Sequence, residues 1–133
     1  MDGREVFQEP ATSIKSHRDL IVWQKGMLCA EEVYRLTRTF PHEELYGLTS
    51  QLRRAVTSIP ANIAEGHGRG STRDYAYFVS VAKGSVQEAS TFLELSIRLE
   101  FLRRDQTLVA EQFLIELERM LGKLHSRLVE RNK

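Results

Sequence analysis

Hydrophobic residues recur every three or four positions along most of the chain. Between Leu20 and Glu130 this spacing falls into four segments, divided by a proline, a glycine-rich stretch and a short polar stretch. Apolar residues spaced in this way lie on one face of an α-helix. No segment alternates between apolar and polar residues with the period of two that indicates a strand. The pattern predicts an all-α fold, an antiparallel up-and-down four-helix bundle with short connections.

The first predicted helix runs from about Leu20 to Phe40, with Asp19 as its N-cap. Pro41 ends it, because the residue before a proline is pushed out of the helical region. The stripe predicted to face the core is Leu20, Trp23, Met27, Ala30, Tyr34 and Thr37.

The second predicted helix contains a proline. Glu43 and Glu44 favour its start, since acidic side chains stabilise the positive end of the helix dipole, and it reaches about Glu65, before Gly66. Its stripe is Leu45, Leu48, Leu52, Ala55, Ile59 and Ile63. Pro60 lies inside this stripe, where it removes a backbone donor and predicts a kink.

The third predicted helix opens with a capping-box-like pair, Ser71 and Asp74, and ends near Leu102. Its stripe alternates in steps of four and three, as in left-handed bundle packing: Phe78, Ala82, Ser85, Ala89, Phe92, Ser96 and Leu99. Gly84 costs about 1 kcal/mol relative to alanine in a helix interior. Beside these small residues it predicts the close approach of a neighbour.

The fourth predicted helix runs from an N-cap at Asp105 to about Glu130. Its stripe is Leu108, Phe113, Leu117, Leu121, Leu124 and Leu128, widened by Ile115 and Met120. Residues 1–17 show no period, so we expect an N-terminal arm followed by one bundle domain, residues 18–133.

The first and third predicted helices carry more apolar residues than one face needs. The additional residues are Ile21, Val22, Leu28, Val33 and Leu36 in the first, and Tyr75, Val79, Val86, Leu93 and Ile97 in the third. A surface helix of a globular protein buries a stripe roughly 100° wide. The surplus predicts that the protein is an oligomer.

Composition narrows the functional classes. The 133 residues carry a net charge of +1, which argues against a strongly basic, histone-like protein. A single cysteine excludes an internal disulfide and fits a reducing compartment. The polar start does not resemble a signal peptide, and no apolar run is long enough to span a membrane. We therefore expect a cytoplasmic protein without a membrane partner.

Motifs for catalysis and metal binding are missing from the sequence. A di-metal bundle site requires a glutamate three residues before a histidine, and no such pair precedes His17, His42, His67 or His125. Cys29, among apolar residues, is interpreted as a packed side chain rather than a nucleophile. The loop GHGRGS lacks the preceding strand and the lysine of a phosphate-binding loop. The sequence predicts a protein that is not an enzyme and has no metal or cofactor.

Several groups of basic residues could contact nucleic acid. The residues selected as candidate contacts are Arg53, Arg54, Arg69 and Arg73. Arg103–Arg104 form a further pair, and Lys123, Arg127 and Arg131 share one helical face, where the dipole near a helix C-terminus also favours cations. Aromatic residues that could stack on bases do not interleave with them. Ordinary solvated surface positions remain the alternative.

Three stretches of the sequence resemble a known family: DLIVWQKG, YGLTSQLRRAVTSIPANIAEGHGR and EASTFLELSIRL. They are similar to bacterial four-helix-bundle proteins encoded in intervening sequences of large-subunit ribosomal RNA genes. The resemblance covers about residues 18–128. A more distant similarity is to accessory proteins of diversity-generating retroelements, basic pentamers that bind nucleic acid and a reverse transcriptase.

The resemblance implies a ring-like homopentamer of antiparallel four-helix bundles. Its signature implies structural roles for Gly47, Pro60, Asn62, Glu65 and Gly66, called the signature residues below. The leading hypothesis is a non-enzymatic, oligomeric scaffold whose partners are itself, RNA or DNA, and a nucleic-acid-processing protein. The alternative is a protein–protein assembly module that does not bind nucleic acid.

Overall fold

Four helices form the bundle in a computed structural model that describes residues 14–132. They are α1 (Ile21–Thr37), α2 (Leu48–His67), α3 (Thr72–Arg98) and α4 (Leu108–Arg131). Both α1 and α3 pack against α2 and α4, so helices that follow each other in the chain are neighbours in space. No strand occurs between residues 14 and 132. The predicted all-α four-helix bundle is confirmed.

Most of the predicted N-terminal arm, residues 1–13, lies outside the described residues, and so does residue 133. The connections between the helices are short. Single turns of 3₁₀ helix precede α1, α2 and α4, at His17–Asp19, His42–Glu44 and Arg104–Thr107.

The core is filled by apolar side chains from all four helices. Its largest fully buried members include Leu52, Ile59, Ile63, Leu93, Leu117, Leu121 and Leu128. The predicted stripe of α2 is buried from Leu48 to Ile63, whereas Leu45 lies before the helix and is exposed. In α3 the small residues of the stripe are buried, whereas Leu99 lies after the helix and is exposed.

The face of α1 that points into the core differs from the prediction. Its buried apolar residues are Val22, Cys29, Val33 and Leu36. Met27 and Tyr34, from the predicted stripe, are 38% and 40% exposed. The reason is that α1 is apolar on several sides, so two stripes satisfy the helical spacing and only packing against the other helices selects one.

The apolar residues interpreted as surplus are largely core residues. Fully or almost fully buried within this single chain are Val22, Val33, Leu36, Val79, Val86 and Leu93. Each helix of a bundle contacts two neighbours, so its buried face is wider than that of a helix packed against one surface. The surplus argument for oligomerisation is therefore wrong for these residues.

The predicted N-cap of α1 is wrong, because Asp19 caps a different element, whereas the predicted start at about Leu20 is within one residue of the observed start. Its carboxylate accepts hydrogen bonds from the backbone N–H groups of Lys15 and Ser16, at 2.8 and 3.3 Å. Together with the Ser16 hydroxyl, it forms the capping box of the first 3₁₀ turn. The helix α1 begins after Leu20 without a side-chain cap and ends at Thr37, earlier than predicted.

The predicted start of α2 is too early. Glu43 and Glu44 form a 3₁₀ turn, and the helix begins at Leu48. The Glu44 carboxylate still accepts a hydrogen bond from the Leu48 N–H at 3.2 Å, so it satisfies one of the free donors at the helix start.

The N-cap of α3 is confirmed, since the Ser71 hydroxyl accepts a hydrogen bond from the Asp74 N–H at 3.1 Å. The helix ends at Arg98 rather than near Leu102. Glu100 has a φ of 66°, a left-handed conformation typical of the residue that terminates a helix.

The start of α4 differs from the prediction as well. Asp105 lies in the preceding 3₁₀ turn and pairs with Arg103 at 3.1 Å, and the N-cap of α4 is Thr107. Leu117, Leu121 and Leu128 are buried as predicted. Leu108 and Ile115 are exposed instead, and their places in the core are taken by Ala110 and Leu114.

Candidate functional site

A shallow apolar groove of about 460 Å³ runs between α1 and α2. We call it the α1–α2 groove. It is lined by Trp23, Met27, Ala30, Glu31, Tyr34, Arg38, Thr57, Pro60, Ala61 and Ala64. Four of these residues, Trp23, Met27, Ala30 and Tyr34, belong to the stripe that the sequence predicted for the core. Trp23 and Ala30 are half-buried against the core, whereas Met27 and Tyr34 are exposed, so the predicted stripe lies at the edge of the core.

Pro60 lies at the groove, inside a helix that continues from Leu48 to His67. On the adjacent helix, Gly26 leaves room for the proline ring: a Cβ at Gly26 would lie 3.4 Å from both Cβ and Cδ of Pro60. Ile59 is fully buried beside it. Packing on both sides therefore holds α2 together through the residue that lacks a backbone donor.

A polar bridge joins α2 to α3 near Pro60. The Asn62 amide donates to the Ser58 carbonyl at 2.8 Å and to the Ser58 hydroxyl at 2.9 Å. The Ser58 hydroxyl in turn shares a hydrogen bond of 2.8 Å with the Ser85 hydroxyl. Asn62, one of the signature residues, therefore forms its side-chain hydrogen bonds within the subunit.

Gly66, another signature residue, lies where α2 and α3 approach closely. A Cβ there would lie 2.9 Å from Cβ of Phe78, closer than real side chains allow. Glu65 pairs with Arg69 one turn later, at 2.9 Å. Gly47 precedes α2, and a Cβ there would lie 3.0 Å from the carboxylate that caps the helix.

Two of the four arginines selected as nucleic-acid contacts are held by partners in the same chain. Arg53 is half-buried: its Nε donates to the Thr37 hydroxyl at 2.8 Å, and its guanidinium lies 4.5 Å from the centre of the Tyr34 ring. Arg69, which follows α2, forms a salt bridge with Glu65 of that helix. Its guanidinium lies 4.9 Å from the centre of the Phe78 ring.

The other two arginines, Arg54 and Arg73, are exposed but lie on different helices. Arg53 faces α1, whereas Arg54 lines a small pocket with Glu88 of α3. Arg73 is in the first turn of α3. The structure therefore does not bring the four selected arginines together into one patch.

A second shallow groove, between α3 and α4, is basic. We call it the α3–α4 groove. It is lined by Lys83, Ile115, Glu118, Arg119, Gly122, Lys123, Ser126 and Arg127. The sequence drew attention to Lys123 and Arg127, but Lys83 and Arg119 were missed. Arg119 precedes Lys123 by four residues, a spacing that could have identified it.

Several arginines form ion pairs with carboxylates of the same chain. Between residues 14 and 132 these pairs are Arg35–Glu32, Arg69–Glu65, Arg98–Glu94, Arg103–Asp105, Arg104–Glu94 and Arg104–Glu111. A further bridge of 2.8 Å joins Lys25 of α1 to Glu116 of α4. The hydrogen bond from Lys25 lowers the pKa of the Glu116 carboxyl group. The partial burial of Glu116 raises this pKa, but by less.

Cys29 is fully buried in α1. Burial, with a smaller contribution from the nearby carboxylate of Glu32, raises the pKa of the thiol to about 12. A thiol with so high a pKa is not a nucleophile at neutral pH. In the part of the chain that the structure describes, no three histidine, cysteine or acidic side chains are grouped to hold a metal ion.

No helix among residues 14–132 is both long and apolar enough to cross a membrane. The helices are amphipathic: each has a buried face and a face that carries charged residues.

Comparisons with known proteins agree with the fold. A crystal structure of a protein of unknown function from the S23 ribosomal protein family of Bacteroides thetaiotaomicron has a TM-score of 0.73 and is 26% identical. The similarity covers 79% of this chain and 98% of that one. Among curated proteins, none matches the chain. The family model for the 23S rRNA-intervening sequence protein matches residues 18–123, and the chain therefore belongs to that family.

Proposed function

We propose that this protein is a non-enzymatic helical scaffold, a homo-oligomer whose subunits join through the α1–α2 groove and which associates with nucleic acid. The observation that carries the proposal is the groove itself. An apolar stripe with helical spacing lies on the surface of the single subunit, where burial against a partner would remove it from water.

The composition of the α1–α2 groove favours a protein partner. Tryptophan, tyrosine and methionine are enriched in the cores of protein interfaces, and Trp23, Tyr34 and Met27 line the groove. At its rim, Glu31 and Arg38 carry opposite charges, so a neighbour with mixed charges meets complementary groups.

We propose a second copy of this chain as the occupant. A ring requires two different surfaces on each subunit that fit each other. Leu108 and Val109, at the start of α4, are 58% and 55% exposed and belong to neither of the helices that form the groove. They supply apolar surface for such a contact. The proposed ring is a pentamer, as the family resemblance implies.

The chemistry of the groove supports a role without catalysis. Its lining is largely apolar, and its polar side chains, Glu31, Arg38 and Thr57, include no nucleophile paired with a base. The cysteine is buried with a raised pKa. With its free thiol, the proposed scaffold suits the reducing cytoplasm.

Association with nucleic acid is supported by the family description, which refers to 23S rRNA intervening sequences, and by the basic α3–α4 groove.

A second candidate function is that of an assembly module that binds only proteins. Its support is the net charge of +1 and the pairing of several arginines, such as Arg35, Arg98 and Arg104, with carboxylates of the same chain.

The test compares two tyrosines of similar chemistry. Tyr34 lines the groove and is 40% exposed, whereas Tyr77 is 63% exposed on α3, outside the groove. We expect Tyr34→Glu to reduce the mass measured by light scattering towards 15.3 kDa, because the introduced carboxylate would be buried in the interface. Tyr77→Glu should keep the wild-type mass. If Tyr34→Glu also kept it, the groove would not be the interface.

A further inference from the structure

The α3–α4 groove contains cations that the fold does not neutralise. Lys83, Arg119, Lys123 and Arg127 lie along it with one carboxylate, Glu118. Between residues 14 and 132, none of the four cations forms a salt bridge. The groove therefore has a local excess of positive charge, with four cations and a single carboxylate in its lining.

The three α4 cations form a continuous stripe, because Arg119, Lys123 and Arg127 follow one another at intervals of four residues. Arg131 continues the same spacing, so the stripe is about 18 Å long at a rise of 1.5 Å per residue. Like charges spaced in this way repel, at a cost of about 0.2–0.5 kcal/mol per pair. The helix dipole compensates only in the last turn, and Arg119 lies three turns earlier.

A glycine opens the floor of the groove between these cations. Gly122 lies inside α4, where glycine costs about 1 kcal/mol relative to alanine. Apart from its chain neighbours and the backbone of its own helix, no atom of residues 14–132 lies within 4 Å of the position that its Cβ would occupy, so packing among these residues does not require the glycine. The gap lets a ligand approach the helix backbone between Arg119 and Lys123.

We propose that the α3–α4 groove binds the sugar–phosphate backbone of nucleic acid, in place of the four arginines selected from the sequence. The inference rests on the nucleic-acid association proposed above and names its surface. A duplex DNA strand carries a charge about every 3.4 Å, so several phosphates lie along the stripe. The groove contains no aromatic residue that could stack on a base, and recognition is therefore independent of sequence.

The position of the groove is compatible with assembly. The α1–α2 groove and the α3–α4 groove involve different pairs of helices, on opposite sides of the bundle. The second surface of the proposed ring, Leu108 and Val109, is at the start of α4, whereas Arg119 lies ten residues after Val109 in that helix. Contacts through both ring surfaces therefore leave the basic stripe accessible. In a ring, each subunit then repeats the same stripe, so a protein with little net charge presents a concentrated positive surface.

The test uses two variants with the same change in charge. One is Arg119→Gln/Lys123→Gln/Arg127→Gln, and the control is Arg54→Gln/Arg69→Gln/Arg73→Gln, which removes three of the arginines selected from the sequence. The probes are a fluorescein-labelled single-stranded RNA and the DNA of the same sequence, each of about 30 nucleotides, longer than a typical single-strand binding site. Affinity is measured by fluorescence anisotropy over a range of NaCl concentrations.

We expect the α4 variant to lose affinity at least about tenfold at roughly 0.05 M salt, and the control to lose much less. The slope of log affinity against log salt should fall by about two per contacting subunit, since each lost phosphate contact on a single strand removes about 0.7. Arg119→Lys/Arg127→Lys, which keeps the charge, should bind nearly as well as wild type. Light scattering should show the wild-type oligomer for every variant.

Two results would overturn the inference, and they differ in what else they affect. If wild type binds but the control variant alone loses affinity, the groove is not the site, and the proposed association with nucleic acid stands. If wild type binds neither RNA nor DNA at low salt, the proposed association with nucleic acid is refuted as well. An acidic protein would then be the remaining candidate partner for the α3–α4 groove.

Discussion

Replacing Pro60 with alanine separates the stability of the subunit from its assembly. The substitution restores a backbone N–H, which can donate to the carbonyl of Val56 one turn earlier. It also removes the ring beside Gly26 of α1, where an added Cβ would lie 3.4 Å from two ring carbons. The first effect stabilises the subunit, and the second destabilises it.

The two effects can be compared in magnitude. An alanine in an unconstrained helix interior is favoured over proline by about 3 kcal/mol. The ring contributes two buried methylene groups beyond the alanine methyl, worth about 0.8 kcal/mol each. We therefore expect Pro60→Ala to stabilise the single subunit by about 1 kcal/mol, which raises Tm by roughly 3–5 °C in a chain of this size.

Assembly should respond in the opposite direction. Pro60 lines the α1–α2 groove together with Ala61 and Ala64, so loss of its ring changes the surface that the proposed neighbour contacts. We expect light scattering to show a weaker oligomer while circular dichroism shows unchanged helicity. Stability is compared at a dilution at which both proteins have the mass of one subunit, because association itself raises Tm.

Pro41→Ala is the control, since Pro41 lies between α1 and α2 and outside the groove. It should cost about 0.4–1 kcal/mol, because the unfolded chain gains freedom, and it should leave the oligomer intact. If Pro60→Ala raised Tm and left the oligomer unchanged, the proline would be incidental to assembly. If Pro60→Ala destabilised the subunit by more than about 2 kcal/mol, the contribution of the packed proline side chain would have been underestimated.

Two further predictions concern packing and pH. Gly66→Ala should destabilise the protein by about 1–2 kcal/mol in urea unfolding, because the new methyl group would lie 2.9 Å from a side-chain carbon of α3. Gly84→Ala should stabilise the protein by about 1 kcal/mol, because among the described residues no atom of another helix lies within 4 Å of the added Cβ. Equal effects of the two substitutions would refute the packing argument. The lowered pKa of Glu116 means that its pair with Lys25 stabilises the fold above the unfolded-state pKa of about 4.3 and is lost as pH falls through the folded-state pKa. Glu116→Gln should therefore cost about 0.2–1 kcal/mol at pH 7 and progressively less in acid, and a difference that did not shrink in acid would contradict the assignment.

The fold was predictable because helical spacing extends through all four segments, and in α2 one stripe of large apolar residues dominates. The side of α1 that faces the core was not predictable, because the sequence of α1 contains two apolar stripes. Val33 and Leu36 satisfy the spacing as well as Met27 and Tyr34 do, and only the position of the neighbouring helices decides between them.

The sites were less predictable than the fold. Gly84 was expected to mark a close neighbour, but among the described residues a Cβ there would meet no atom within 4 Å beyond its chain neighbours and its own helix backbone. The close approach is at Gly66 instead. The basic groove was missed in part because Lys83 comes from α3 and the other cations from α4. A surface shared by two helices becomes visible only when their relative position is known.

Native mass spectrometry of the wild-type protein at micromolar concentration tests the central claim most directly, because it counts subunits. The claim is that the exposed apolar stripe of α1, with Pro60 beside it, is covered by a second copy of the chain. We predict a species at a multiple of 15.3 kDa, five-fold for the proposed pentameric ring. A single species at 15.3 kDa would contradict the claim.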